Sequence, residues 1–259
     1  MGALHIDRRE GGVHVFTLAN EAKRNAVDPE LLEALRSAAV ASDAEGARCL
    51  VLTGEGPRAF CSGYDLRVLR EKGGSEERLP DVALQETLHA LERAAPPVIA
   101  AVNGAAFGAG GELAVACDLR IAAENATIAM PPARLGIVYA PEGLQRFVEL
   151  VGLSRAKRLF FTGDPIGASE ALELGLVDEV VPEGQALDRA VELAERIARN
   201  SPRAVQGMKR ILTLMRRREL PAAAVAEVEA LRRASFASED AQEGIAAVLE
   251  RREPRFSGR

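Results

Sequence analysis

The chain has 259 residues, of which 47% are hydrophobic and 27% charged, and a formal net charge of −5. That is long enough for a full core, ordinary for a soluble globular protein, and poorly suited to neutralising nucleic-acid phosphates. No apolar run reaches the roughly 18 residues needed to cross a bilayer. Met1 to Glu10 has charges at Asp7, Arg8, Arg9 and Glu10 and lacks the apolar stretch of a signal peptide, so a cytoplasmic location is expected. The three cysteines (Cys49, Cys61, Cys117) have no CxxC spacing, and the three histidines are scattered, with only His5 and His14 able to meet across a hairpin. Neither a disulfide framework nor a metal site is expected.

In chain order, Leu4 to Arg8 and Val13 to Leu18 read as short strands joined through Gly11-Gly12. Asp28-Pro29-Glu30 then starts a helix with a capping side chain, a proline in the first turn and an acid near the positive dipole end. Leu31, Leu32, Leu35 and Ala39 follow at helical spacing. Cys49 to Leu52 suits a buried strand ended by Thr53-Gly54. The charged, glycine-containing stretch from Arg70 to Pro80 is expected to be mobile. A helix from about Asp81 to Ala95 stops before Pro96-Pro97. Val98 to Val102 is the next buried strand, Glu112 to Cys117 reads as helical, and Leu119 to Ala122 is a further strand. Beyond Val181 the chain becomes rich in alanine, leucine and arginine, with helical spacing over Leu187 to Arg199, Arg203 to Arg217, Pro221 to Ala237 and Ala241 to Glu250. The expectation is an α/β core over residues 1–195 and a helical region over 196–259.

Chemistry is most legible in Pro97-Val-Ile-Ala-Ala-Val-Asn-Gly-Ala-Ala-Phe-Gly-Ala-Gly-Gly-Glu112-Leu-Ala. A buried strand leads into Gly104, Gly108, Gly110 and Gly111, and a helix begins. Small residues let backbone approach a ligand, and free amides at a helix start favour developing negative charge. The dinucleotide fingerprint is excluded because Leu113 stands where its third glycine belongs, and a phosphate loop is excluded because no GK[ST] follows. A second sharp turn lies in Ala59-Phe60-Cys61-Ser62-Gly63-Tyr64-Asp65-Leu66. No G-x-S-x-G elbow supports a serine hydrolase.

Together these two stretches resemble the paired signatures of the crotonase (enoyl-CoA hydratase/isomerase) family. The resemblance extends through Leu159-Phe-Phe-Thr-Gly163, Gly175 to Pro182 and Glu239 to Gly244, nearly the whole chain. It implies a crotonase-like spiral of ββα units with a C-terminal helical trimerisation region, and assembly as a homotrimer or a dimer of trimers. It also implies an acyl-CoA thioester substrate and no cofactor, the coenzyme A belonging to the substrate. Residue by residue, it puts an oxyanion hole at the backbone N–H groups of Tyr64 and Ala109, flanked by Ser62, Gly63, Leu66 and Gly108. Lys23, Arg24 and Ala26 match a nucleotide-contacting turn, and Asp65 and Arg67 follow the first bend, so Lys23, Arg24 and Arg67 are candidate phosphate contacts. Pro132 and Gly136 fall in the acyl-pocket segment. Phe236 reads either as a cover for adenine of a neighbouring subunit or as a core residue.

Relatives that hydrate use two glutamates, and Glu112 matches the first. Pro131-Pro132-Ala133-Arg134-Leu135-Gly136 carries Ala133 where the second belongs. Two groups are candidates to compensate. Glu142 reads either as a pocket carboxylate or as an acid favoured by the helix that follows. Tyr139 matches a functional tyrosine of methylmalonyl-CoA decarboxylase-like relatives, or is a pocket-wall aromatic with a bonded hydroxyl. The leading expectation is hydration or isomerisation of an enoyl-CoA with Glu112 as acid/base. Decarboxylation of a malonyl-type acyl-CoA comes second, and non-catalytic acyl-CoA binding third.

Overall fold

The structure is a computed structural model that describes residues 2–72, 79, 81–216, 225–226, 229–230, 233–234 and 236–255. The stretch expected to be mobile and the helix expected over Pro221 to Ala237 fall largely outside these residues. The chain opens with an antiparallel pair, β1 (Ala3–Arg9) and β2 (Val13–Ala19), joined through Gly11 and Gly12 at φ 78° and 82°. Register places His14 opposite Arg8 and His5 opposite Thr17, so the two histidines do not face each other as entertained above. Helix α1 (Pro29–Ala41) starts as expected, with the Asp28 carboxylate accepting from the Leu31 amide at 2.9 Å.

From here the chain repeats one move: a strand in a large sheet, a short strand in a small sheet, then helix. The first round is β3 (Cys49–Gly54), β4 (Ala59–Cys61), α2 (Leu66–Lys72) and α3 (Val82–Arg93). The second is β5 (Val98–Val102), β6 (Ala105–Phe107) and α4 (Ala109–Ala116). The third is β7 (Leu119–Ala123), β8 (Thr127–Ala129), α5 (Pro141–Val151) and α6 (Leu153–Thr162). Then come β9 (Ile166–Gly167), α7 (Ala168–Leu174), β10 (Glu179–Val181), α8 (Ala186–Ala198), α9 (Pro202–Arg216) and α10 (Glu239–Glu250). The six-stranded sheet has the order β1-β2-β3-β5-β7-β10 and is parallel except for β1–β2. The four-stranded sheet has the order β4-β6-β8-β9 and is parallel except for β8–β9. This is the expected α/β spiral of ββα units.

The inner strands β2, β3 and β5 of the large sheet are buried on both faces, which is why β3 and β5 read as unbroken apolar runs. Alternation divides them cleanly. Phe16, Leu18, Leu50, Leu52, Val98 and Ala100 face the main core with α1 and α3. Val15, Cys49, Val51, Ile99 and Ala101 face Ala190, Val191 and Ala194 of α8. The division expected at 195/196 therefore falls inside a helix that covers the sheet. At the far end α10 returns to the core, where Gly136 packs on the backbone at Asp240 and Gly244 on the backbone at Leu135; a methyl at either glycine has no room.

Candidate active site

The spiral brings the two glycine-bearing bends side by side because β4 and β6 are hydrogen-bonded neighbours. Each strand runs straight into its bend. Gly63 has φ 111° and Gly108 φ 52°, conformations that a side chain strains. A Cβ on Gly63 would stand 3.1 Å from the Phe107 carbonyl oxygen and 3.9 Å from the Ala109 nitrogen, and one on Gly110 would overlap the Cys61 carbonyl. Glycine is what lets the bends close on each other.

The first bend is also pinned from behind by the turn at residues 23–27. The Val27 amide donates to the Gly63 carbonyl at 2.9 Å, the Asp65 amide to the Val27 carbonyl at 2.8 Å, and the Ser62 amide to the Arg24 carbonyl at 3.0 Å. The N–H groups of Ser62 and Asp65 are thus spent, while among the described residues the Tyr64 N–H has no protein acceptor. In the second bend Gly108 donates to the Ala129 carbonyl at 2.9 Å. Ala109 opens α4, where helix geometry leaves the first amides without an intrahelical partner. Its N–H likewise has no protein acceptor among the described residues.

Both bends line a cavity of about 430 Å³ with mainly apolar walls, a size typical of small-ligand sites. Its polar side chains include Glu112, Asp81, Tyr64 and Tyr139. Glu112, in the first turn of α4, is 2% exposed and accepts from Gln85 Nε2 at 3.3 Å. The Gln85 carbonyl accepts in turn from Arg146 Nη1 at 3.3 Å, and Arg146 is itself buried against Glu92, with Nε 2.7 Å from Oε1. The guanidinium fixes which end of the Gln85 amide faces Glu112.

The Tyr139 hydroxyl lies 3.1 Å from where a Gly108 Cβ would be, and its ring meets Phe160 edge-on at 5.7 Å. Burial, and then the Glu112 and Asp81 carboxylates, push the Tyr139 phenol well above its usual range. Burial, with Asp81 and Asp28 next, does the same at Tyr64, whose hydroxyl is buried without a partner among the described residues. Both phenols are neutral hydrogen-bond donors at ordinary pH.

A sequence profile described as Enoyl-CoA hydratase/isomerase matches residues 8–259. The chain is 39% identical to the 2,3-dehydroadipyl-CoA hydratase of Escherichia coli, over 98% of each chain. It is 35% identical to the Short-chain-enoyl-CoA hydratase of Clostridium acetobutylicum, over 95% of each. The chain belongs to the enoyl-CoA hydratase/isomerase family. Among solved structures, this family enzyme superposes on a Methylmalonyl-CoA decarboxylase in complex with 2-nitronate-propionyl-CoA with TM-score 0.90, at 28% identity over 99% of this chain and 98% of that one. With an Enoyl-CoA Hydratase from Bacillus anthracis the TM-score is 0.75, at 35% identity over 99% of each chain.

Of the residues singled out from the sequence of this hydratase/isomerase-family enzyme, Ser62, Gly63, Tyr64, Leu66, Gly108, Ala109, Glu112 and Tyr139 line the one cavity. Lys23, Arg24 and Ala26 form the turn behind the first bend. Lys23 Nζ lies 2.6 Å from Asp65 Oδ2, and the Ser62 hydroxyl donates to the Lys23 carbonyl at 3.0 Å. Burial alone would raise the Asp65 carboxyl, but the Lys23 ammonium and the Arg67 amide outweigh it and hold the group below its usual value. Arg24 and Arg67 are exposed; Pro132 is buried in a short 3-10 turn, and Gly136 ends that turn at φ 67°.

Glu142 is not brought to the cavity. It is exposed in the first turn of α5, and its charge is felt by His89 on α3. The helix-start reading describes it, and its neighbour Gly143 is the residue that touches Glu112. Phe236 is buried and lines the cavity of its own chain, beside Val248 of α10. Asp81, Gln85 and Arg134 were missed. Each looks in sequence like an ordinary helix or turn residue, and only docking of α3 on α4 and of the turn at 132–135 on α6 gives them a site.

Proposed function

We propose that this enzyme binds an acyl-CoA thioester with its carbonyl oxygen between the Tyr64 and Ala109 N–H groups and hydrates or isomerises an enoyl group beside Glu112. One observation carries the reading: two residues whose backbone amides have no protein acceptor among the described residues line the same cavity as a buried carboxylate. Adding a nucleophile at the β-carbon, or removing a proton from the γ-carbon, places negative charge on the thioester oxygen. Two fixed amide dipoles in a mostly apolar cavity stabilise that enolate, and one such donor is typically worth about 3 kcal/mol. Glu112, held by Gln85, gives or takes the proton on carbon. The exposed Lys23, Arg24 and Arg67 supply cations for the nucleotide phosphates on an otherwise acidic chain. No resident cofactor is needed for this chemistry. The experiment is turnover of a panel of enoyl-CoA esters by the wild type and by Glu112→Gln. Loss of at least 100-fold in kcat is expected in the variant, and equal turnover by the two proteins would sink the assignment.

A second reading, decarboxylation of a malonyl-type acyl-CoA, is favoured by the place of the Tyr139 hydroxyl, a neutral donor against Gly108. The TM-score of 0.90 with a methylmalonyl-CoA decarboxylase points the same way. Release of CO2 from methylmalonyl-CoA, reduced in Tyr139→Phe, distinguishes it from hydration.

We further propose that copies of the chain meet through the region 196–259 in a homotrimer or a dimer of trimers. Support comes from α9, whose Met208, Ile211 and Leu212 are 57%, 59% and 65% exposed. Analytical ultracentrifugation tests this, with a monomer the contrary result. Among the described residues no helix is long and apolar enough to cross a membrane, and the buried free thiols suit the reducing cytoplasm in which we place the enzyme.

A further inference from the structure

Adding water across a double bond is served by two proton-handling groups, one that takes a proton from the water and one that supplies a proton to the α-carbon. Ala133 provides neither, being an exposed methyl on the 3-10 turn Pro132–Leu135. Glu142 is outside the cavity. The cavity nevertheless holds a second carboxylate. Asp81 stands immediately before α3 and lines the same walls as Glu112. Four residues on, Gln85 touches Glu112 directly. Residues four apart share a helix face with about 5–6 Å between their Cβ atoms. Asp81 is therefore set about one helical turn along the chain from the residue that contacts Glu112, and both carboxylates line the same cavity. Both cavity phenols respond to it: after burial, Asp81 is the next influence raising Tyr64, and Asp81 and Glu112 act jointly on Tyr139.

We propose that Asp81 is the second catalytic carboxylate, working opposite Glu112 on an enoyl thioester. The inference rests on the enoyl-CoA reading above. In the hydration direction Asp81 accepts a proton from water as the water oxygen bonds to the β-carbon. The π pair of the C=C bond moves to the thioester oxygen as an enolate, held by the Tyr64 and Ala109 amides. The enolate pair then returns to form the α-carbon–hydrogen bond with the proton of the Glu112 carboxyl. One C–O bond, one C–H bond and the Asp81 O–H bond form, while the π bond, one O–H bond of water and the Glu112 O–H bond break. The proton left on Asp81 returns to Glu112 through solvent, and nothing is oxidised or reduced.

The side chain of Asp81 makes no capping bond to the first turn of α3. Full-length Asp81→Asn, Asp81→Glu and Asp81→Ser are assayed for hydration of crotonyl-CoA. Hydrogen exchange at the α-carbon of butyryl-CoA in D2O is followed in parallel; this needs a base and the two amides but no second carboxylate. Expected are a fall in kcat of about 100-fold or more for Asn and Ser at a KM within about threefold, and substantial recovery in Glu. Exchange by all three should stay within about threefold of wild type. Hydration by Asp81→Asn and Asp81→Ser at the wild-type rate overturns the role of Asp81 and leaves the enoyl-CoA reading standing. Equal loss of hydration and exchange also overturns it, since that marks a general disturbance of the cavity. A wild type that neither hydrates any enoyl-CoA ester nor exchanges butyryl-CoA overturns the underlying reading, and the inference with it.

Discussion

Gly143 abuts the carboxylate of Glu112 so closely that a methyl group on its α-carbon would overlap Oε1. The atom in the way is the free end of a side chain, so Gly143→Ala is expected to turn the Glu112 carboxylate away from its present place without breaking α5. A displacement of about 1 Å at a reacting group can cost about 100-fold in rate. Steady-state kinetics should show kcat down by roughly 10- to 100-fold, with a melting temperature close to wild type.

Behind Glu112 lies the buried Arg146–Glu92 pair, with side chains 3% and 12% exposed. Arg146→Met takes the guanidinium from both Glu92 and Gln85. Breaking a buried pair by removing one partner costs about 3–5 kcal/mol, which urea denaturation will read as a lower midpoint. The surviving folded enzyme should also lose activity, because nothing then fixes the Gln85 amide toward Glu112.

How much of this was legible in the sequence differed from element to element. Strands β3 and β5 stood out because burial on both faces makes an unbroken apolar run. The bends stood out because Gly63 and Gly108 occupy positive φ. The small sheet was unreadable: β4, β6 and β8 have three residues each, too few to show a period. Helix α4 begins at Ala109, three residues before the expected start at Glu112, because Gly110 and Gly111 are held helical by packing on Cys61 and Met130 despite their poor propensity. Glu112 and Glu142 are both acids in a helix first turn, alike in local propensity and charge. One helix start faces the cavity and the other faces water, a difference made by docking alone.

If Lys23 and Arg24 meet nucleotide phosphates, Lys23→Ala and Arg24→Ala will raise KM for a CoA ester roughly fivefold each while kcat stays near wild type, since an exposed charge contact is worth about 1 kcal/mol. The effect should shrink as salt rises and vanish with the matching pantetheine thioester, which has no nucleotide. An equal KM increase with the pantetheine ester would mean that the turn acts by supporting the Gly63 bend.

The cysteines give a pH test. Burial pushes the thiols of Cys49, Cys61 and Cys117 from the usual 9.0 up to about 12. At pH 8 the native protein should resist iodoacetamide at all three positions, and unfolding should expose them to alkylation, as mass spectrometry of intact protein will show. The folded values lie above the unfolded ones, so the stability these thiols contribute is whole below pH 9 and drains away as pH climbs toward 12. The denaturation midpoint should fall across that window.

Tyr64 and Ala109 follow adjacent strands of one parallel ladder, β4 and β6. Strand pairing, about 4.8 Å between neighbours in any sheet, brings the two bends together, and it owes nothing to which side chain sits at either position. On the proposed reading, a tyrosine can stand at one position and an alanine at the other while both amides are kept and the room around them is remade. If the two amides hold the thioester oxygen as proposed, sequence drift is free to retune the acyl group and the proton route, because the donors themselves belong to the main chain.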